Sequence, residues 1–191
     1  ACVVPDGEMP PELCRVRFDS VRDLPLDTAS WEQRAASMVF DEPPFKVPAG
    51  LKPAAGVVIR ELDGRIWCVA PSNRFGGYQH TFPKGRLDGK SPKAAALVEA
   101  FEECGLLVHL TGFLVDTKRS TTYTRYYMAE RVSGNPADMG WESQAVLLAP
   151  VPALFGLLTN ANDLPVLRAL QEWLAKPQHR ISRPGTIPVY G

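Results

Sequence analysis

The stretch from Phe82 to Leu107 limits what this 191-residue chain can fold into more than any other part of it. Ser91 is a good helix N-cap, because its hydroxyl can accept a hydrogen bond from an unpaired backbone N–H of the first turn. Pro92 fits the first helical position, and Gly105 suits the left-handed residue that ends a helix. We therefore predict one short helix, preceded by a loop rich in glycine and lysine.

Three carboxylates share one face of this predicted helix: Glu99, Glu102 and Glu103. They stand at positions i, i+3 and i+4, within roughly 100° of arc. Carboxylates this close repel one another and raise each other's pKa. The same arrangement offers the oxygen ligands that a hard divalent cation prefers. A solvated acidic face is the alternative interpretation, and the preceding loop with its lysines and glycines favours the metal site.

The loop and helix together resemble the Nudix box, the signature of the Nudix hydrolase superfamily. Gly85 opens the pattern, the three glutamates occupy its helix positions, and Gly105 with Leu106 closes it. The lead-in Phe82-Pro83-Lys84-Gly85 is also common in that family. The resemblance implies a Nudix-type α/β/α sandwich with a mixed β-sheet, and hydrolysis of a diphosphate linkage in a nucleoside diphosphate derivative.

The box departs from the family pattern around its metal ligands. The interval from Gly85 to Gly105 is one residue short, and Lys90 or Ser91 stands where a loop glutamate belongs. Val98 replaces the arginine that braces the glutamates in the family. A non-catalytic Nudix-fold module that binds a nucleotide is therefore an alternative to an enzyme. Retention of all three helix glutamates favours the enzyme.

The resemblance implies an Mg²⁺- or Mn²⁺-dependent mechanism with named ligands. Glu99 and Glu103 are the chief metal ligands by this carry-over, and Glu102 is a third ligand or a base. The backbone carbonyl of Gly85 also contributes in the family. A further glutamate often comes from a later loop, and Glu142 is the candidate here for a catalytic role; a surface carboxylate is the alternative.

Candidate substrate-binding residues are basic or aromatic and lie near the box or in a later hairpin: Lys84, Arg86, Lys118, Arg119, Tyr123 and Arg125. The basic residues would meet a polyphosphate, and simple solvation is the alternative for each. Tyr123 lies 18 residues beyond Gly105 (123 − 105), where the family's diadenosine-polyphosphate hydrolases have a tyrosine. Its ring could stack on a purine, although tyrosines are also ordinary strand residues. We rank dinucleoside polyphosphate first, then diphosphoinositol polyphosphate, then ADP-ribose.

The amino-acid composition limits the classes of partner that we expect this chain to bind. Lys plus Arg number 21 and Asp plus Glu number 21, so no net charge attracts nucleic acid or an anionic membrane, and we expect neither as a partner. No run approaches the roughly 20 apolar residues of a membrane span. The four cysteines lack metal-type spacing, and a reducing cytoplasm is the simplest inference.

The order of predicted elements gives the domain plan. Residues 1–52 form an N-terminal arm that we expect to pack on the core or to make a homodimer, with Ser30 capping a short helix. Residues 53–176 form the Nudix domain, in which a hairpin, the box helix, further strands and a last helix capped by Asp163 build an α/β sandwich. Residues 177–191 are a C-terminal tail.

Overall fold

A computed structural model describes residues 1–21 and 24–177. Its strands are β1 (Cys2–Val3), β2 (Glu12–Leu13), β3 (Val16–Arg17), β4 (Lys52–Arg60), β5 (Ile66–Pro71), β6 (Lys84–Arg86), β7 (Leu106–Lys118), β8 (Thr122–Gly134) and β9 (Ser143–Ala149). Its α-helices are α1 (Thr28–Ala36), α2 (Pro92–Cys104), α3 (Val151–Leu157) and α4 (Leu164–Ala175).

The main sheet has seven strands and is mixed. Six of them follow the order β1-β9-β5-β4-β8-β7, and β4 runs parallel to β8 while the other pairs are antiparallel. One edge of β4 is shared: its last residues pair with β5, whereas Ala54–Gly56 pair with β6. The short strand β6 therefore fills a split in the sheet, which places the box loop between β4 and β5.

Helices cover both faces of this sheet. One hydrophobic core lies under α1 and α2 and includes Val57 and Tyr127, while a second lies under α3 and α4 and includes Val58 and Tyr126. Successive strand residues point to opposite faces, so neighbouring residues of β4 and of β8 enter different cores. The predicted α/β/α sandwich with a mixed sheet is confirmed.

The N-terminal arm contributes to the first core instead of standing apart from the domain. Val3, Phe18, Trp31, Ala35 and Met38 are buried in it, and β1 pairs with β9 at the sheet edge. The arm thus packs on the core. Its domain boundary and a homodimer stay predictions, and the tail from residue 178 onward lies outside the described residues.

Two predicted helix caps are corrected by the structure. The cap of α1 is Asp27, whose carboxylate accepts the Ser30 N–H at 2.8 Å, so Ser30 lies inside the helix. Asp163 occupies the N-cap position of α4, but its carboxylate makes no capping bond. It accepts instead from Arg119 at 2.9 Å and from Thr81 at 3.2 Å. A guanidinium is a stronger partner for a buried carboxylate than a helix N–H, so tertiary pairing prevails over local capping.

Candidate active site

The box helix has the boundaries that its sequence predicts. Ser91 caps α2 by accepting the Ala94 N–H at 3.2 Å, and Pro92 opens the helix. Gly105 ends it with φ of 67°, and a side chain there would overlap the carbonyl of Asn135. The glycine is therefore required both by its backbone conformation and by the close passage of the 135–139 segment. These two ends fix the rotation of α2 and hence the direction of its glutamates.

Glu99 and Glu103 lie against the backbone of the box loop. The Lys84 N–H donates to the Glu103 carboxylate at 2.9 Å. A methyl group in place of the Gly85 hydrogen would overlap the Glu99 carboxylate. Both glutamates are buried, with 9% and 7% of their surface exposed. Strand β6 and helix α2 therefore bring together Gly85, Glu99 and Glu103, three of the four predicted metal-binding residues.

Burial makes these carboxylates hard to ionise. It is the main cause that raises the pKa of Glu99 to about 8, with further contributions from the charges of Glu103, Glu102 and Glu142. Burial also raises the pKa of Glu103 to about 7, although the charge and N–H of Lys84 act in the opposite direction. Two buried carboxylates without a compensating cation cost free energy that a bound metal ion would recover.

Glu102 of helix α2 and Glu142 of the later loop line a cavity beside that helix. This cavity has a volume of about 290 Å³ and is lined by Phe101, Glu102, Asp138, Gly140, Trp141 and Glu142. Burial and the Glu142 charge raise the pKa of Glu102. The charge of Glu142 therefore acts on all three box glutamates. The catalytic role of Glu142 stays a prediction.

The donor set fits a hard divalent cation by its chemistry. It offers carboxylate oxygens and a backbone carbonyl, which are the ligands that Mg²⁺ prefers. Within residues 1–21 and 24–177, however, no group of three or more His, Cys, Asp or Glu side chains already surrounds one ion position. The Glu99 and Glu103 carboxylates contact the backbone of the box loop, while Glu102 lines the cavity. The complete ligand set stays a prediction.

The predicted substrate-binding residues divide by their surroundings. Lys84 places its ammonium 4.9 Å from the centre of the Tyr78 ring. Arg86 is exposed beside Asp88, and Lys118 is exposed at the end of β7. These three cations lie at the surface or at its edge, where an anion can reach them.

Arg119 and Arg125 are instead engaged inside the protein. Arg119 donates to Asp163 at 2.9 Å and to the Tyr126 hydroxyl at 2.6 Å. Arg125, only 2% exposed, donates two bonds to Asp116 and one to Glu42. Since their donors hold internal carboxylates, the structure gives both arginines a role other than the predicted contact with a phosphate.

Tyr123 also has an internal partner. Its ring is stacked on Phe45 of the N-terminal arm, with the ring centres 5.7 Å apart and the planes at 17°. One face of the Tyr123 ring is thus covered by the chain itself. No local pattern predicts this contact, because Phe45 is 78 positions away and lies in an irregular, proline-rich connector.

A model of the NUDIX domain matches residues 50–169, which is more than half of the chain. The chain belongs to the Nudix family. It is accordingly a Nudix pyrophosphohydrolase, and the matched range overlaps the domain predicted at 53–176. No curated protein matches the sequence.

Solved structures agree with this membership. An Ap4A hydrolase of C. elegans, crystallised as a binary complex, is 25% identical with a TM-score of 0.51 over 64% of this chain and 98% of that chain. A MutT protein of Methanosarcina mazei Go1 (12% identity, TM-score 0.55, 69% and 100% covered) and a Nudix hydrolase of Nitrosomonas europaea (15%, 0.55, 69% and 74%) share the fold.

Sequence reasoning missed some residues around the candidate site. Asp138 and Phe101 line the cavity, and Tyr78 packs beneath Lys84. No local pattern marks Asp138 or Tyr78, since each reaches the site through a loop whose path depends on the whole fold. In the described part of the chain, no helix has the length and apolar character to cross a bilayer.

Proposed function

We propose that this Nudix hydrolase uses Mg²⁺ or Mn²⁺ to cleave a diphosphate linkage in a dinucleoside polyphosphate. The observation that carries the proposal is the burial of two carboxylates, Glu99 and Glu103, against the backbone of Lys84 and Gly85. A buried carboxylate pair facing a polar loop is poorly explained by packing, because ionised groups are costly to bury without a partner. A divalent cation is the partner that this set of oxygens fits.

The residues have separable tasks in this proposal. Glu99, Glu103 and the Gly85 carbonyl would hold the cation, with Glu102 as a further ligand. The cation would supply charge neutralisation on the phosphate oxygens and a more acidic water molecule. Glu142, which lines the cavity, accepts the proton of the water that attacks phosphorus. The bond between that phosphorus and the bridging oxygen then breaks, and the leaving phosphate departs with the bonding electrons. Lys84, Arg86 and Lys118 contact the remaining phosphates.

Two findings support a nucleotide over an inositol pyrophosphate. The C. elegans protein, named as an Ap4A hydrolase, is 25% identical and fits this chain with a TM-score of 0.51. Arg119 and Arg125 hold internal carboxylates, which leaves fewer cations to meet a densely phosphorylated ring. ADP-ribose remains the second nucleotide candidate. The cysteines are unpaired, which is compatible with a cytoplasmic location.

The test is a substrate panel with and without metal. Purified protein is incubated with diadenosine tetraphosphate, a diphosphoinositol polyphosphate and ADP-ribose, in Mg²⁺, Mn²⁺ or EDTA, and products are separated by ion-exchange chromatography. We expect metal-dependent cleavage, fastest with diadenosine tetraphosphate. Glu103→Gln should abolish turnover, and Glu142→Gln should lower kcat by about 10²- to 10⁴-fold.

Glu172→Gln is the matched control, because Glu172 is an exposed glutamate on α4, on the opposite side of the sheet. It should leave the rate unchanged. Full activity in EDTA would refute metal dependence, and faster cleavage of the inositol substrate would refute the substrate assignment.

A further inference from the structure

The indole of Trp141 is the feature of the site that the proposed chemistry does not use. Trp31 and Trp67 are buried and Trp173 is half-buried, whereas Trp141 is 84% exposed. Leaving so large an apolar ring in water forgoes the free energy of its burial. Its position next to Glu142, on the wall of the cavity, calls for an explanation in terms of a ligand.

The loop that carries Trp141 is fastened on both sides. The Ser72 hydroxyl donates to the Trp141 carbonyl at 2.7 Å, and the Ser72 N–H donates to the Glu142 carbonyl at 2.8 Å. The Gly140 N–H donates to the Glu102 carbonyl at 2.8 Å, which ties the loop to α2. The backbone is therefore held in place while the indole projects outward. A rigid backbone with an exposed aromatic ring is a suitable platform for stacking.

The cavity beneath the indole has the polar groups that a base requires. Asp138 lines the cavity, and its carboxylate can accept hydrogen bonds from the exocyclic amino group or ring N–H of a base. Glu102 and Glu142 line the same cavity. A nucleotide stacked on Trp141 would thus lie beside two of the carboxylates proposed to act on its phosphates. One face of the Tyr123 ring, by contrast, is already stacked on Phe45.

We propose that Trp141 stacks on a nucleobase of the substrate and determines specificity for nucleotides over base-free pyrophosphates. The inference rests on the proposed function and extends it by naming the residue that recognises the base. Every base has an aromatic face that can stack, so Trp141 selects for the presence of a base and not for one particular base.

Steady-state kinetics provide the first test. Trp141→Ala should raise KM for diadenosine tetraphosphate by about 5- to 150-fold, the range expected for loss of one stacked base, with kcat changed little. Trp141→Phe should retain most of the affinity, because it keeps an aromatic face. KM for a diphosphoinositol polyphosphate, which has no base, should not change. The matched control is Phe155→Ala, which removes another exposed aromatic ring on α3, across the sheet.

Fluorescence gives a second readout that does not need turnover. Diadenosine tetraphosphate in Ca²⁺ should quench the tryptophan emission of the parent and not that of Trp141→Phe, whereas inorganic tripolyphosphate should quench neither. This measurement also separates the two proposals. If no diphosphate substrate is hydrolysed but the quench depends on Trp141, the proposed function fails and the stacking inference stands. An unchanged KM in Trp141→Ala, a loss confined to kcat, or an equal quench in Trp141→Phe would overturn the inference.

Discussion

At the scale of single residues, the site depends on the contact between Gly85 and Glu99. The register of the sheet places Arg125, Ala55 and Gly85 in one row across β8, β4 and β6. Gly85 leaves the space that the Glu99 carboxylate fills. A glycine is needed at position 85 because a larger side chain would occupy the space of the Glu99 carboxylate, and not because of its backbone conformation. This contact explains why the first residue of the box is a glycine in this protein.

Gly85→Ala tests this packing directly. The added methyl group would displace the Glu99 carboxylate, so we expect a loss of activity of at least about 10-fold, as for a misplaced metal ligand. Gly112→Ala is the matched control, since a methyl group there meets nothing within 4 Å and it too lies in a strand. The measurements are kcat/KM and the Mg²⁺ concentration for half-maximal rate. Equal values for both variants would contradict the role of Gly85.

The raised pKa values of Glu99 and Glu103 predict how stability responds to pH without metal. Their pKa values of about 8 and about 7 exceed the ordinary value of 4.5, so the folded protein binds more protons than the unfolded chain between about pH 4.5 and 8. The free energy of unfolding must therefore fall as pH rises through this range. Each pKa unit corresponds to about 1.4 kcal/mol, which a thermal melt resolves.

The measurement compares Tm in EDTA at pH 5, 6, 7 and 8 for the parent and for Glu99→Gln. The parent should lose stability relative to the variant as pH rises. Mg²⁺ should stabilise the parent more at pH 8 than at pH 6, because the cation then displaces fewer protons. A parent that gains stability over the variant between pH 5 and 8 would refute the pKa shifts.

At the scale of elements, the parts predicted from sequence are those governed by local rules. Helix α2 has a capping serine, an opening proline and a closing glycine, all within 15 residues, and all three act as predicted. The hairpin of β4 and β5 follows in the same way from the two apolar runs on either side of Asp63-Gly64. Helix α3 was missed, because it is short, begins beside prolines and has no side-chain cap.

The parts not predicted depend on partners that are distant in sequence. Arg119 and Arg125 look like free cations in the sequence, yet each meets its carboxylates only after the sheet and helices assemble. The same holds for the small hairpin of β2 and β3, which no local pattern fixes. Arg131 of β8 donates to the carbonyls of Leu13, Val16 and Arg17, while it pairs with the buried Glu61.

Arg131→Met should therefore both destabilise the domain and release the hairpin. It leaves Glu61 buried without its cation, for which we expect a loss of about 3–5 kcal/mol of unfolding free energy. Urea denaturation gives the free energy, and limited proteolysis reports the hairpin. The double variant Arg131→Met/Glu61→Leu should be less destabilised, since no unpaired charge remains. A double variant as unstable as Arg131→Met alone would show that lost packing, not the charge, is the cause.

At the scale of the whole molecule, the N-terminal arm contacts both the box helix α2 and strand β8 of the sheet. Glu42 of the arm pairs with Lys93 at the start of α2 and with Arg125 of β8. Glu32 accepts the Ser91 N–H at 2.6 Å, directly at the cap of the box helix. The arm therefore contacts the helix that carries the predicted metal ligands, and its packing should affect both stability and catalysis.

Trp31→Ala tests whether the arm is part of the folding unit. Trp31 is a buried residue of α1, with its ring centre 6.5 Å from that of Phe101 on α2. Its truncation should cost about 3–5 kcal/mol, the range for a large aromatic residue in a core. Leu26→Ala is the control: Leu26 is 92% exposed, and its change should stay within about 0.5 kcal/mol. Thermal and urea denaturation supply both values. If Trp31→Ala unfolds in two steps, or costs no more than the control, the arm folds separately from the Nudix core. A single cooperative transition at a lower midpoint would show that residues of the arm and of the box helix stabilise one structure.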